Sequence, residues 1–240
     1  MIGIKVALSG AVGRMGRRVG DALDAMDGVS FVGGLVRSSQ ISIEGCKAPL
    51  SDDLAATLDA CDLLLDFSIF DRTLALASHC ADAGRPFFVG TTAGTAEHVR
   101  ALEEYSVDIP ILYAPNITRG AGTLFGIIEK LAGHLGPSYD AKVIGVHHKK
   151  KRELPSGTSF EIARRIQAAR DDEVLPEIVS LLAGGAYSNH EIIFAGHNDE
   201  IRISHNVTRP DIDPDILGAG FQWLMTKRNG FYGLPEVLAG

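Results

Sequence analysis

The residues best suited to chemistry stand together at His147-His148-Lys149-Lys150-Lys151-Arg152, six basic or titratable side chains in a row. Pro155-Ser156-Gly157-Thr158 follows within a few positions. Histidine titrates close to neutrality, at about 6.5. Lysine neighbours disfavour its protonated form through like charge. A group of this kind hands over a proton readily. When hydride arrives at one carbon of a conjugated system, negative charge builds on a neighbouring atom, and a positioned acid quenches it. The Ser-Gly-Thr turn opens a helical pattern. A carboxylate there would meet the N–H groups of Gly157 and Thr158, the hydroxyls of Ser156 and Thr158, and nearby ammonium groups. Two other readings compete with this anion site. One is a solvated charge run. The other is a nucleic-acid patch, which lacks aromatic residues between the cations for base stacking. On an extended strand Lys149 and Lys151 share a face, so spacing does not choose between them.

A second chemical signal lies near the start. Gly10-Ala11-Val12-Gly13-Arg14-Met15-Gly16 separates an apolar run from a helical pattern. A turn without side-chain bulk lets backbone N–H groups approach a pyrophosphate, and the helix start adds partial positive charge. The spacing is G-x-x-G-x-x-G, not the more common G-x-G-x-x-G, so a purely structural glycine turn is the competing reading. Sites selective for NAD place Asp or Glu after the second strand, against the ribose 2'-hydroxyl. Here that position reads Val36-Arg37-Ser38-Ser39. A guanidinium with two hydroxyls suits a 2'-phosphate, which predicts NADPH over NADH. The competing reading leaves Arg37 as a solvated loop residue. Gly90-Thr91-Thr92 and Ala114-Pro115-Asn116 end two further predicted strands, where ligands of open α/β sheets bind; ordinary turn chemistry would also account for them.

The elements that must position these residues follow from periodicity. Strands are predicted at 4–8, 31–36, 62–67, 86–90 and 109–114, with helices at 15–26, 72–83 and 96–105. This alternation predicts a Rossmann-type parallel sheet covered on both faces. The rhythm changes after Asn116. A long apolar helix at 120–135 ends at Gly136-Pro137. A strand at 141–148, a helix at 158–169 and β-type runs at 178–182, 191–195 and 200–204 follow. His197-Asn198-Asp199 reads as a hairpin turn. The fold class is therefore α/β, with a second α+β domain containing a mixed, partly antiparallel sheet. Residues 1–117 are expected to form a dinucleotide-binding domain and 118–216 a substrate-binding and oligomerisation domain. The closing segment 217–240, with a helix at 216–225, is expected to pack back on the first.

Composition sets the outer limits. The chain has 240 residues, 45% of them hydrophobic and 22% charged, enough for a sizeable core. Net charge is −7, which argues against a general nucleic-acid binder. Cys46, Cys61 and Cys80 form no C-x-x-C pair, so neither a disulfide framework nor a metal site is expected. They read as reduced thiols of a cytoplasmic protein. No apolar run approaches the roughly 18 residues of a membrane span, and the N-terminal run leads straight into the glycine loop instead of forming a signal peptide.

In combination, Gly10-Ala-x-Gly-Arg-Met-Gly16, Asp66-Phe67-Ser68, Gly90-Thr-Thr92, Ala114-Pro-Asn116 and His147-His-x-x-Lys151 with Pro155-Ser-Gly-Thr158 resemble the dihydrodipicolinate reductase family. The motifs occur in the family's order over nearly the whole chain, and Gly230 to Leu238 resembles its C-terminus. The resemblance implies NAD(P)H-dependent reduction of 4-hydroxy-tetrahydrodipicolinate, after loss of water, in lysine and diaminopimelate synthesis. It implies a small dicarboxylate substrate, a cytoplasmic location and a homotetramer built through the second domain's sheet. His147 falls on the family's proton donor/acceptor and Lys151 on its proton donor. His148 falls on a substrate contact, and Gly157 and Thr158 on the carboxylate site. Cofactor contacts are implied at Gly10, Ala11, Val12, Gly13, Arg14, Met15, Arg37, Gly90, Thr91, Thr92, Ala114, Pro115, Asn116 and Ile117.

Three positions depart from the family pattern. Val36 replaces a frequent acidic residue, which favours NADPH, with NADH used less well. Glu153 stands where Asp is common. Ser188-Asn189-His190 stands where Gly-Glu-His is usual, so these residues receive no role. The alternatives are another NADP oxidoreductase acting on a small carboxylate, such as an amino-acid dehydrogenase, and a dinucleotide-sensing regulator without catalysis. A sensor would not require the proton-donor cluster.

Overall fold

In the computed structural model, which describes residues 3–92, 94–152, 154–208 and 212–239, the chain opens with β1 (Ile4–Ser9), α1 (Arg14–Asp24), β2 (Val29–Leu35), β3 (Leu50–Ser51), α2 (Leu54–Ala60), β4 (Leu63–Asp66), α3 (Phe70–Asp82), β5 (Phe87–Val89), α4 (Ala96–Glu104) and β6 (Pro110–Tyr113). It continues through α5 (Arg119–Leu135), β7 (Asp140–His147), α6 (Gly157–Arg170), β8 (Glu177–Leu182), β9 (Ser188–Ala195) and β10 (Glu200–Val207). It closes with α7 (Pro214–Leu224), β11 (Gly230–Tyr232) and α8 (Leu234–Leu238). Glu153 lies outside the described residues. Two compact units result. One holds the chain up to Thr118 and again from Ile212; the other runs from Arg119 through β10.

In the first unit the strand order is β11-β6-β5-β4-β1-β2-β3, and every pairing is parallel. A parallel sheet buries both faces, so its central strands are apolar at successive positions. Leu63, Leu64 and Leu65 of β4 are all fully buried. Leu63 and Leu65 join a core with Val19 and Leu23 of α1 and Leu217, Phe221 and Leu224 of α7. Leu64 joins the opposite core with Leu76 of α3 and Val99 and Leu102 of α4. Each such side chain contributes roughly 1.5–3 kcal/mol by burial. The strand order reverses between β1 and its neighbours β2 and β4, and crevices at such reversals hold ligands beyond the strands' carboxyl ends.

The sequence pattern assigns no element between Val36 and Asp62, where β3 and α2 form. It also leaves β11 and α8 unassigned. β3 and β11 span only two and three residues, too short for periodicity to register, and each exists through its long-range partner. The chain returns to the first unit at Ile212, earlier than the expected residue 217. The reason is local: Asp213 caps α7 by accepting from the N–H groups of Asp215 and Ile216.

The second unit is a four-stranded sheet, β10-β9-β7-β8. β8 lies parallel to β7, whereas β9 is antiparallel to both β7 and β10. α5 and α6 cover one face, with Phe125 and Ile128 of α5 and Ile162 and Ile166 of α6 packed on Val143, Ile192 and Phe194. Arg165 of α6 is buried between the carboxylates of Glu161 and Glu129 and stacks over the Phe125 ring, pinning the two helices together. Among the described residues no helix is long and apolar enough to cross a membrane.

Candidate active site

The glycine loop sits at the strand-order reversal of the first unit. Gly10 has φ +79°, a left-handed conformation that favours glycine, and a side chain there would meet the Phe67 carbonyl at 2.6 Å. Gly16 passes so close that an added Cβ would fall 2.0 Å from the Gly10 carbonyl oxygen. The Gly13 N–H donates to the Gly10 carbonyl at 2.9 Å, and no side chain caps α1. The first-turn amides of Arg14 and Met15 are therefore open to an anion without a competing side-chain cap. A cavity of about 210 Å³ adjoins this turn, lined by Gly10, Val12, Gly13, Val36 and Arg37, together with Gln40, Phe67, Ser68, Ile69 and Arg72. The backbone of Arg37 is held by its N–H, which donates to Gln40 Oε1 at 3.2 Å; its side chain is exposed. The uncapped helix start, the bulk-free turn and the two guanidinium groups fit a phosphorylated dinucleotide.

Asp66, at the end of β4, organises the neighbouring strand ends. Its buried carboxylate accepts from the Ser68 N–H at 3.1 Å, the Thr73 hydroxyl at 2.6 Å and the Thr91 hydroxyl at 2.8 Å. Gly90 donates its N–H to the Asp66 carbonyl at 2.9 Å. Thr91 is thus a buried structural link, while Thr92 is exposed. Ala114 and Ile117 are buried in the apolar core, so the surface at this strand end belongs to Pro115 and Asn116. The Asn116 side chain accepts from the Thr118 N–H at 3.1 Å and hydroxyl at 2.9 Å, fixing the turn.

The basic cluster lies in the second unit, at the end of β7. His147 ends the strand on its helix-covered face and is only 1% exposed. His148 and Lys151 are half-buried, whereas Lys149 and Lys150 are exposed. The Lys151 N–H donates to the His148 carbonyl at 3.0 Å, and the Lys149 N–H to the Gly184 carbonyl at 3.2 Å. That turn separates two lysines left equivalent by spacing. Burial, then like charge from Lys151 and His148, holds His147 below the usual histidine range; a backbone hydrogen bond at Tyr187 opposes this.

Ser156 and Gly157 open α6, at the turn where the sequence places an anion site. Ser156 caps α6: its Oγ accepts from the Ser159 N–H at 3.0 Å, lies 2.8 Å from Ser159 Oγ and 3.3 Å from His190 Nε2. It is 4% exposed. Its oxygen is engaged within the protein as the cap of its own helix. Gly157 and Thr158 form the first helical positions beyond that cap.

Four residues missing from the sequence-based assignment enter these corners. Gln40 and Arg72 line the dinucleotide cavity, Asp66 ties the strand ends, and His190 lies against His147 with ring centroids 5.5 Å apart. Arg72 was within reach of the rule that ligands sit beyond strand carboxyl ends, since it stands in the first turn of α3 after β4. His190 keeps the histidine of the Gly-Glu-His pattern, the signal that could have found it, while Ser188 and Asn189 depart from that pattern.

Two family models match the chain. Dihydrodipicolinate reductase, N-terminus, covers residues 4–117, and dihydrodipicolinate reductase, C-terminus, covers residues 120–238. A 4-hydroxy-tetrahydrodipicolinate reductase of Geobacter metallireducens is 30% identical over 264 residues, with 98% of each chain covered. One from Geotalea daltonii is 28% identical over 263 residues, again with 98% of each covered. Among solved structures, the dipicolinate-bound dihydrodipicolinate reductase of Paenisporosarcina sp. TG-14 superposes with a TM-score of 0.70 at 19% identity, covering 98% of this chain and 99% of that one. The DAP dehydrogenase of C. glutamicum, in complex with DAP, shares the fold at a TM-score of 0.57 and 13% identity, covering 98% and 94%. The two matched segments run from the glycine loop through the histidine–lysine cluster to the last helix, and the chain belongs to the dihydrodipicolinate reductase family of NAD(P)H-dependent oxidoreductases.

Proposed function

We propose that this protein reduces 4-hydroxy-tetrahydrodipicolinate, after loss of water, to tetrahydrodipicolinate, using NADPH in preference to NADH. The observation that carries the reading is the corner of the second unit. There the His148–Lys151 turn, the buried His147 and the capped start of α6 are tied together through Ser156 and His190. This corner joins a proton-bearing ammonium to a helix start suited to a carboxylate.

Bound reduced nicotinamide supplies the hydride. The chain's own residues do the rest. In the first unit the amides at the start of α1 hold the pyrophosphate, and Arg37 holds the 2'-phosphate. No carboxylate follows β2 to favour an unphosphorylated ribose, which supports NADPH. In the second unit Gly157 and Thr158 bind one substrate carboxylate through the helix start, and His148 contacts the ring substituents. Lys151 delivers the proton to the atom that gains charge when hydride adds elsewhere on the conjugated ring. His147 is the proton donor/acceptor beside it; burial makes its resting form neutral, so Lys151 carries the transferable proton before turnover. The remaining family traits belong to the same proposal: a cytoplasmic location and a homotetramer. The second supports itself on the edge strand β8, which leaves Val179 38%, Leu181 51% and Leu182 41% exposed.

The test is consumption of NADPH and of NADH with freshly generated substrate, with and without pyridine-2,6-dicarboxylate. The expected result is faster turnover with NADPH and competition by the dicarboxylate. Absence of substrate-dependent oxidation would end the reading, and equal efficiency with both cofactors would end the NADPH preference.

A further inference from the structure

Strands β7, β9 and β10 place Gly145, His190 and His205 side by side at one register. The preceding rows on the same face, Val143–Ile192–Ile203 and Ala141–Phe194–Ile201, are apolar. A polar ring in the third row is therefore out of keeping with its neighbours, and burying it without a role would cost stability. Gly145 lacks a side chain because that space is taken: an added Cβ would lie 2.6 Å from Ser159 Oγ and 3.0 Å from His147 Nε2. The His147 ring thus reaches back over Gly145 and completes a row of three imidazoles. His147 meets His190 edge to face, at 5.5 Å and 65°, and His190 stacks on His205 at 6.4 Å and 19°. On its other side His190 Nε2 lies 3.3 Å from the cap hydroxyl of Ser156.

We infer that His190 is a positioning residue, which fixes the His147 ring on one side and the Ser156 cap of the carboxylate-binding turn on the other. The inference rests on the function proposed above and extends it. One buried ring couples the proton-handling end of β7 to the helix start that holds substrate.

The groups facing His190 support the assignment. β7 contributes His147, the loop after it Lys151, and β10 His205; α6 contributes the neutral hydroxyls of Ser156 and Ser159. The nearest carboxylate of α6, Glu161, is engaged by Arg164 and Arg165. No anion in this set stabilises an imidazolium. Burial, followed by like charge from His147, His205 and Lys151, lowers His190 to about 3. Its ring stays uncharged through the neutral range, so it orients its neighbours without adding to the positive charge at Lys151.

The test compares two variants in the full chain. His190→Gln keeps an amide able to reach Ser156 and removes the ring; His190→Phe keeps the ring and removes the bond to Ser156. His190→Gln is expected to lower kcat about tenfold and to move the acidic limb of its pH profile, with substrate KM little changed. His190→Phe is expected to raise substrate KM about tenfold with a smaller change in kcat. Wild-type kinetics in both, or parallel losses in kcat and KM that follow thermal stability, would overturn the inference. If neither variant folds, ring-proton NMR of the wild-type protein decides: nuclear Overhauser contacts between the His190 and His147 rings that persist on binding the dicarboxylate support it, and their absence refutes it. Lys151→Ala run alongside separates the two levels. Absence of substrate-dependent NADPH oxidation in the wild-type chain removes the proposed function itself, and full turnover in Lys151→Ala removes only the proton-donor role given to that residue. Loss there, with unaffected His190 variants, removes only the positioning role.

Discussion

Arg37 and Gln40 close a turn on each other: the Arg37 N–H donates to Gln40 Oε1 at 3.2 Å, while the guanidinium stays exposed at the rim of the dinucleotide cavity. A side chain held by its backbone in this way is pre-positioned for a charged oxygen. Hydrogen bonds to charged groups contribute about 1.5–3 kcal/mol. Arg37→Ala is therefore expected to weaken NADPH binding by roughly tenfold to a hundredfold, and NADH binding far less. Fluorescence titration with both nucleotides measures this; equal losses would refute the 2'-phosphate role.

Asp66 supports the same site from beneath. Three donors converge on its buried carboxylate. Asp66→Ala leaves the Ser68 N–H and the Thr73 and Thr91 hydroxyls without that partner, at about 1–3 kcal/mol for each that stays unsatisfied. Urea unfolding should show a loss of several kcal/mol together with weaker nucleotide binding. A stability within 0.5 kcal/mol of wild type, about the noise of a surface substitution, would contradict the network.

Lys151 and Lys149 differ in the structure although the sequence offers them alike. Lys151→Ala is expected to lower kcat by roughly a hundredfold or more, the scale of general acid catalysis, with nucleotide affinity retained. Lys149→Ala should keep most of its turnover, because Lys149 is exposed, whereas Lys151 is half-buried and lies near enough to His147 and His190 to disfavour their protonated forms. Equal losses in the two variants would reverse this assignment.

Gly145→Ala inserts a methyl group into the space filled by the His147 ring and Ser159. Overpacking of this kind costs about 1–3 kcal/mol. The ring is the more mobile obstacle, so kcat should fall more than stability does. A crystal structure of the variant would show the displaced imidazole; an unmoved ring with normal kcat would show that the close approach does not matter.

The imidazole row also sets a pH dependence of stability. His190, His147 and His205 are all lowered in the folded protein, chiefly by burial. The unfolded chain then binds protons below about 6.5 that the folded chain does not. Stability is fully present above that value and falls as pH drops toward 3, the folded value of His190. Its share of the slope is about 1.4 kcal/mol per pH unit. Denaturant unfolding across this window should become less steep in His190→Phe by that amount. An unchanged slope would mean that His190 protonates freely in the native state.

Much of the fold is legible in local sequence. Leu63, Leu64 and Leu65 announce a strand buried on both faces, because only a covered parallel sheet accepts apolar residues at successive positions. The glycine spacing before α1 marks a turn that approaches the Phe67 carbonyl and its own helix too closely for side chains. The histidines, Lys151 and the Ser-Gly-Thr turn stand out in the sequence by type and order, and the second matched family segment spans them.

Other assignments required the folded chain. That Ser156 caps α6 appears only once the helix forms and its oxygen accepts from the Ser159 N–H. β11 takes its place only by pairing with β6, far away in the chain. His190 sits in a strand pattern like any other residue until β9 pairs antiparallel with β7 and sets it opposite Gly145. The sequence by itself determined which chemical groups exist and which elements carry them, because propensity and periodicity act over neighbouring residues. Strand register and helix packing decided which groups meet, since a slip of one residue would turn His190 to the other face of the sheet.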